Sequence, residues 1–211
     1  METLLRKYIR DLLTENARKP DDLPDGYGVR VVWKSNIEFE VEYVKGSGDN
    51  WESINLPTQG VRGTPYGYIE VKKQTSSGPC DDAFEIIMSR ASRGWGPLLY
   101  DIAMEVSTNL GGGLMPDRFI VSGDANKVWG IYDQKRSDVK SHQLDDPKNT
   151  LTTSTSDNCS QESSQMYLGS EWQKSPLSKR YTKEPATINA LKSAGKISFV
   201  REGDGTDQEQ G

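Results

Sequence analysis

The sequence predicts an α/β domain, and three observations carry that expectation. Ile37, Phe39, Val41 and Tyr43 alternate with Glu38, Glu40, Glu42 and Val44, the period-two pattern of a half-buried strand with an acidic outer face. Leu98, Leu99, Ile102, Ala103 and Val106 recur at helical spacing directly after Pro97. Through the middle of the chain the order is strand, strand, glycine-bearing turn, helix, glycine break, helix.

The elements follow in chain order. A length of 211 residues suits one domain with extensions, or at most two small ones. Residues 1–16 place Leu4, Leu5, Tyr8, Ile9, Leu12 and Leu13 on one helical face and Arg6, Lys7, Arg10 and Asp11 on the other, an amphipathic leader helix. It packs on the domain in one reading and docks to a larger assembly in another. Residues 17–28 contain Pro20, Pro24, Gly26 and Gly28 and are expected to be a linker. The predicted α/β domain covers residues 29–136. Its first strands are Val29–Trp33 and Ile37–Val44, joined by a turn at Lys34, Ser35 and Asn36. A loop-rich stretch, 46–63, precedes strands at Tyr66–Lys72 and Ala83–Met88. Pro97 then opens a helix at the position where its missing N–H has no intrahelical partner. Gly111, Gly112 and Gly113 end that helix. Ser122, Gly123 and Asp124 signal the start of another, whose buried face is Val128, Trp129, Ile131 and Tyr132. Residues 137–201 are expected to be an irregular, loop-rich C-terminal extension, with a long polar loop at 148–166, a short helix at Thr187–Ala194 and a last strand at Lys196–Val200. Residues 202–211 are expected to be a disordered acidic tail.

Composition narrows the function classes. Hydrophobic residues make up 34% of the chain, so the core must come from part of it. The apolar runs are a few residues long, far short of the ~20 needed to cross a bilayer. The N-terminus lacks the pattern of a signal peptide, and the expected location is cytoplasmic. A net charge of -5 opposes general nucleic-acid binding, which needs a cationic surface. Lys174, Lys179, Arg180 and Lys183, with Tyr181, form only a local basic cluster. Cys80 and Cys159 lack metal-ligand spacing and are expected to be free thiols in a reducing compartment. With His142 as the single histidine, no metal site is expected.

The chemistry concentrates at Arg90-Ala91-Ser92-Arg93-Gly94-Trp95-Gly96. A strand ending here can aim backbone N–H groups at one point, and the helix that follows adds its unpaired donors and positive dipole end, a site suited to a pyrophosphate. Gly94 and Gly96 permit close approach, and Arg90 and Arg93 add charge at the rim. The plainer reading is a strand-to-helix turn in which the two glycines relieve backbone strain.

This stretch resembles the signature of the GNAT-type N-acetyltransferases, in which an Arg or Gln precedes a Gly-x-Gly or Gly-x-Ala turn that opens the acyl-CoA-binding helix. RGWGPLLYDIAMEVS is similar to that turn and helix. With Gly94 and Gly96 as the turn glycines, the Arg/Gln position falls on Ala91; with Gly96 as the first glycine, Arg93 fits that position and Leu98 stands in place of the second small residue. VSGDANKVWGIYDQK resembles the family's next landmark, with Ile131-Tyr132-Asp133-Gln134 standing where Leu-Tyr-Glu-Lys is usual, and YGYIEVK and AFEIIM precede the turn in the family's order. The resemblance covers about seventy residues. It implies a mixed, mostly antiparallel sheet flanked by helices, with a V-shaped opening between two central strands. It implies acetyl-CoA as cofactor, held by Arg90, Arg93, Gly94, Trp95, Gly96 and Asn126, and an amine as substrate. Tyr132 matches the tyrosine that protonates the leaving thiolate, and Glu85 and Glu70 are the candidate bases. The leader LLRKYIRDLLTE, together with HQLDD and SPLSKRYTK, also resembles phage-encoded GNAT-like proteins. That implies a second reading, a virion-associated structural protein that keeps the fold without the activity and contacts virion subunits through the leader and the C-terminal part. It would place the chain in the host cytoplasm or the virion.

Overall fold

The computed structural model describes residues 17–47, 50–54, 64–74, 83–144 and 174–203. The expected leader helix, the loop at 148–166, both cysteines and nearly all of the acidic tail lie outside these residues. The described chain forms β1 (Tyr27–Ser35), β2 (Glu38–Ser47), β3 (Asn50–Ser53), β4 (Gly67–Lys73), β5 (Phe84–Ala91), α1 (Gly96–Asn109), β6 (Leu114–Met115), α2 (Gly123–Gln134), β7 (Val139–Gln143), β8 (Lys179–Lys183), α3 (Ala186–Ser193) and β9 (Ile197–Arg201). The nine strands make one open sheet in the order β7-β8-β6-β5-β4-β2-β1-β9, with β3 paired to β2. Two pairs, β1 with β9 and β5 with β6, are parallel. The other pairs are antiparallel. The α/β class and the mostly antiparallel mixed sheet are as expected. No helix of the described residues is long and apolar enough to cross a membrane.

The β1–β2 hairpin forms where the alternation placed it. Val29, Val31, Phe39, Val41 and Tyr43 are buried in one core with Ile69 and Val71 of β4. The opposite face carries the predicted acids, but they are neutralised: Arg30 pairs with Glu42 at 2.7 Å, and Lys34 bridges Glu40 at 2.9 Å and Glu70 at 3.1 Å. Burial works against the Lys34 ammonium, yet its hydrogen bonds to the two carboxylates raise its pKa above the ordinary lysine range. Helix α1 is buried over most of its surface. Leu98, Leu99, Ile102, Ala103, Met104 and Val106 are all buried, as expected of a helix enclosed by its own domain. Ser122 caps α2, its Oγ accepting the Ala125 N–H at 3.2 Å.

Three segments differ from expectation. Residues 17–28 do not run free as a linker. The Arg18 N–H donates to Gly94 O at 3.0 Å, Lys196 Nζ donates to Leu23 O at 2.5 Å, and Leu23 is buried in the core. One apolar residue among prolines and acids was enough to anchor the stretch. The second difference is β3, inside the stretch expected as loop. The third is the largest: the described part of residues 137–201 is not an irregular extension. β7 and β8 complete one edge of the sheet and β9 the other. The short helix and final strand predicted there are present as α3 and β9. Burial explains the difference, because Tyr181 and Leu191 of this region are completely enclosed by the core.

Candidate functional site

The site originates in unequal pairing of β5. On one side β5 pairs with β4 from Lys73↔Phe84 to Gly67↔Ala91. On the other it meets β6 only at Phe84↔Leu114 and Glu85↔Met115. Among the described residues, no strand pairs with that edge from Ile86 to Ala91, because β6 ends at Met115. The chain after β6 is tied to β5 at Glu85 and to the segment before β8. The Arg118 N–H donates to Glu85 Oε1 at 2.7 Å, and the Arg118 guanidinium donates to Pro116 O at 3.0 Å and Leu177 O at 2.6 Å. Glu70 faces Met88 and Val71 faces Ile86, so Ile87 is an extra residue in β5, a β-bulge that bends the strand where the cleft opens.

The cleft encloses about 260 Å³. Ile86, Ile87, Met88 and Ser89 of β5 form one wall, Asp117, Ile120, Val121 and Ser122 the other, and Tyr100, Ala125 and Trp129 of the helices close it. Tyr100 OH lies 3.1 Å from Ser89 Oγ. Burial raises the Tyr100 pKa above the ordinary phenol, and the Ser89 contact offsets part of that. The ring packs edge-on to Trp129 at 5.5 Å. Asp117 is the one charged residue among the lining side chains.

Two residues beyond Ser89, β5 ends and the chain turns into α1. Ser92 Oγ donates to Thr64 O at 2.8 Å, the Trp95 N–H to Ser92 O at 3.0 Å, and Tyr43 OH to Trp95 O at 2.7 Å. Gly94 has φ +86, a left-handed conformation that favours glycine. No side chain caps α1, and its first turn holds no acid, so its positive end is left for an anion.

Of the residues predicted from sequence, Gly94 and Gly96 lie at this turn, and Arg90 and Arg93 are exposed beside it; none of the four lines the cleft, and Pro97 and Leu98, which follow, line a separate cavity. Trp95 is a core anchor instead, 1% exposed and edge-on to Tyr43 at 5.6 Å. Asn126 is an exposed residue of the first turn of α2 and does not line the cleft. Tyr132 faces elsewhere. Its OH donates to Asp101 Oδ1 at 2.9 Å, and it lines a separate cavity of about 480 Å³ with Asp101, Arg136, Asp138 and Lys183. Burial, with Asp101 beside it, holds the Tyr132 phenol well above its usual pKa. Glu85 sits at the closed end of the cleft, buried, accepting the Arg118 N–H and Gln74 Nε2–H on its two oxygens. Glu70 is tied to Lys34 and does not line the cleft. The structure thus gathers the glycines and arginines, and separates Tyr132, Glu85 and Glu70 from them. Sequence reasoning missed Ser89, Tyr100 and Asp117. Tyr100 carried a weak signal, being four residues after Gly96 and so on the same helical face; Ser89 and Asp117 carried none. No group of acids, cysteines and histidines able to hold a metal occurs among the described residues. Comparison of the chain with protein-family models, with curated proteins and with solved structures found no match.

Proposed function

We propose that the protein is a GNAT-like N-acetyltransferase that holds acetyl-CoA along the free edge of β5 and passes the acetyl group to an amine. The observation that carries this reading is that β5 pairs with β6 only through Glu85 and then runs on, without a described partner on that edge, into the turn that opens α1, whose N-terminus no side chain caps. An extended arm bearing amide groups can hydrogen-bond to an unpaired strand edge as an added strand would. A pyrophosphate suits the α1 terminus. Gly96 leaves room for it, since a Cβ there would meet only Ala91 Cβ at 3.7 Å. Arg90 and Arg93 are free to reach the same rim. Acetyl-CoA, when bound, supplies the activated acyl group. The chain's own groups then divide the proton work. Tyr100 carries its phenolic proton at neutral pH, as an ordinary phenol does, and its hydroxyl lies within hydrogen-bond reach of Ser89 Oγ, which orients it. It is better placed to protonate a leaving thiolate than Tyr132, whose hydroxyl is committed to Asp101. Asp117, on the cleft wall, is the carboxylate placed to attract a cationic amine and take its proton.

Titration calorimetry with acetyl-CoA, followed by thiol release in the presence of amines, tests the reading. Tyr100→Phe is expected to lower kcat by about a hundredfold, while Tyr132→Phe changes it less than threefold. No acetyl-CoA binding at high micromolar concentration would refute the proposal, and the opposite ranking of the two tyrosines would remove Tyr100 from the mechanism. The engagement of Tyr132, Glu85 and Glu70 in structural pairs favours a second reading, a virion-associated structural protein without activity. It predicts no thiol release with any amine.

A further inference from the structure

The far lip of the cleft is built to expose apolar side chains. Ile120 is 81% and Phe119 67% exposed, and Met88 on the β5 side is 51% exposed. Large apolar groups normally gain by turning inward. Here the backbone prevents it. Asp117 Oδ1 accepts the N–H groups of both Phe119 and Ile120, at 2.7 and 2.8 Å. Arg118 between them is buried and fixed to Glu85, Pro116 and Leu177. The same carboxylate that pins the loop is the single charge on the cleft lining. One negative group therefore sits among apolar side chains.

We infer that the acceptor is a primary amine carried on an apolar body, with its ammonium at Asp117 and its aliphatic or aromatic part over Ile120, Phe119 and Met88. This rests on the acyltransferase reading, in which Asp117 is the carboxylate that receives the amine. A polycation is disfavoured, because its other charges would lose water against apolar side chains. Each methylene that leaves water is worth about a fourfold gain in affinity when fully buried. The lip is open, so about half that free energy is expected.

The test is calorimetric binding of ethylamine, hexylamine, phenethylamine and spermidine to the full chain without acetyl-CoA, followed by thiol release with each. Hexylamine and phenethylamine are expected to bind at least about tenfold more tightly than ethylamine, and spermidine no better than ethylamine. The double variant Phe119→Ser, Ile120→Ser is expected to bring hexylamine within about threefold of ethylamine. Asp117→Asn, whose amide oxygen still accepts the two backbone N–H groups, is expected to weaken all the amines. Equal affinity across the series, tighter spermidine, or no binding of any amine overturns the inference. The expected series without thiol release upholds this inference and removes the transferase reading. Thiol release with polar amines alone upholds the transferase reading and removes this one.

Discussion

Glu105→Ala is expected to cost about 3–5 kcal/mol of folding stability, the range for removing one partner of a buried ion pair. Glu105 is 1% exposed on α1. Its Oε1 accepts Lys183 Nζ–H and the Thr187 N–H, and its Oε2 accepts the Ile188 N–H at 2.7 Å. One carboxylate therefore satisfies two unpaired donors in the first turn of α3, neutralises a buried lysine of β8, and fixes both elements to α1. Alanine leaves the Lys183 ammonium enclosed, with Thr187 Oγ1 at 2.7 Å and Asp101 at 3.8 Å as its nearest polar neighbours. It also leaves two N–H groups without their acceptor. A domain of this size has about 5–15 kcal/mol to lose. Urea unfolding at constant m-value measures the loss. Because most of the penalty is the stranded charge, Glu105→Leu combined with Lys183→Met is expected to recover much of it. A single-variant cost below about 1 kcal/mol would show that the carboxylate does not hold the C-terminal elements in place.

The same residue marks where sequence reasoning stopped. The hairpin was legible because Ile37 to Val44 alternates against solvent, and α1 because Pro97 and Leu98 to Val106 start and continue a helix. Those are local patterns. Lys179 to Lys183 reads KRYTK, a basic and polar string, yet Tyr181 and Lys183 are buried and β8 lies inside the sheet between β7 and β6. Lys183 is tolerated there because Glu105, seventy-eight positions earlier, meets it, with Thr187, Asp101 and Asp138 around it. No window of neighbouring residues contains that information. β6 is two residues long and too short to show any period. At the site, the turn glycines were legible because φ and close approach restrict residue choice. The cleft itself depends on where β6 stops pairing, and that is set by the contacts of Arg118 with Glu85 and Leu177. Glu85 and Tyr132 looked chemical in the sequence because of their type and place. In three dimensions both are consumed by hydrogen bonds that only long-range contacts supply.

Gly67→Ala is expected to destabilise the fold by about 3 kcal/mol and to weaken acetyl-CoA binding more than tenfold in protein that is still folded. Gly67 has φ +133, which strains any residue with a side chain. A Cβ there would overlap Arg90 O and lie 2.5 Å from Ala91 Cα. Both atoms belong to the backbone of β5, so no side chain can swing aside. Relief requires the last residues of β5 to move from β4. Those residues lead directly into Ser92, whose hydroxyl bonds to Thr64 O, and into Trp95, whose N–H bonds to Ser92 O. A shift there re-aims Gly94, Gly96 and the first turn of α1, the group proposed to meet the pyrophosphate. Gly130→Ala is the matched control. Gly130 lies within α2, has no positive φ and has nothing within 4 Å of an added Cβ, so alanine there is expected to stabilise by about 0.5–1 kcal/mol. Thermal unfolding and calorimetry on the two variants separate the effects. Loss of stability at Gly67 with unchanged acetyl-CoA affinity would mean that the turn into α1 does not form the binding site.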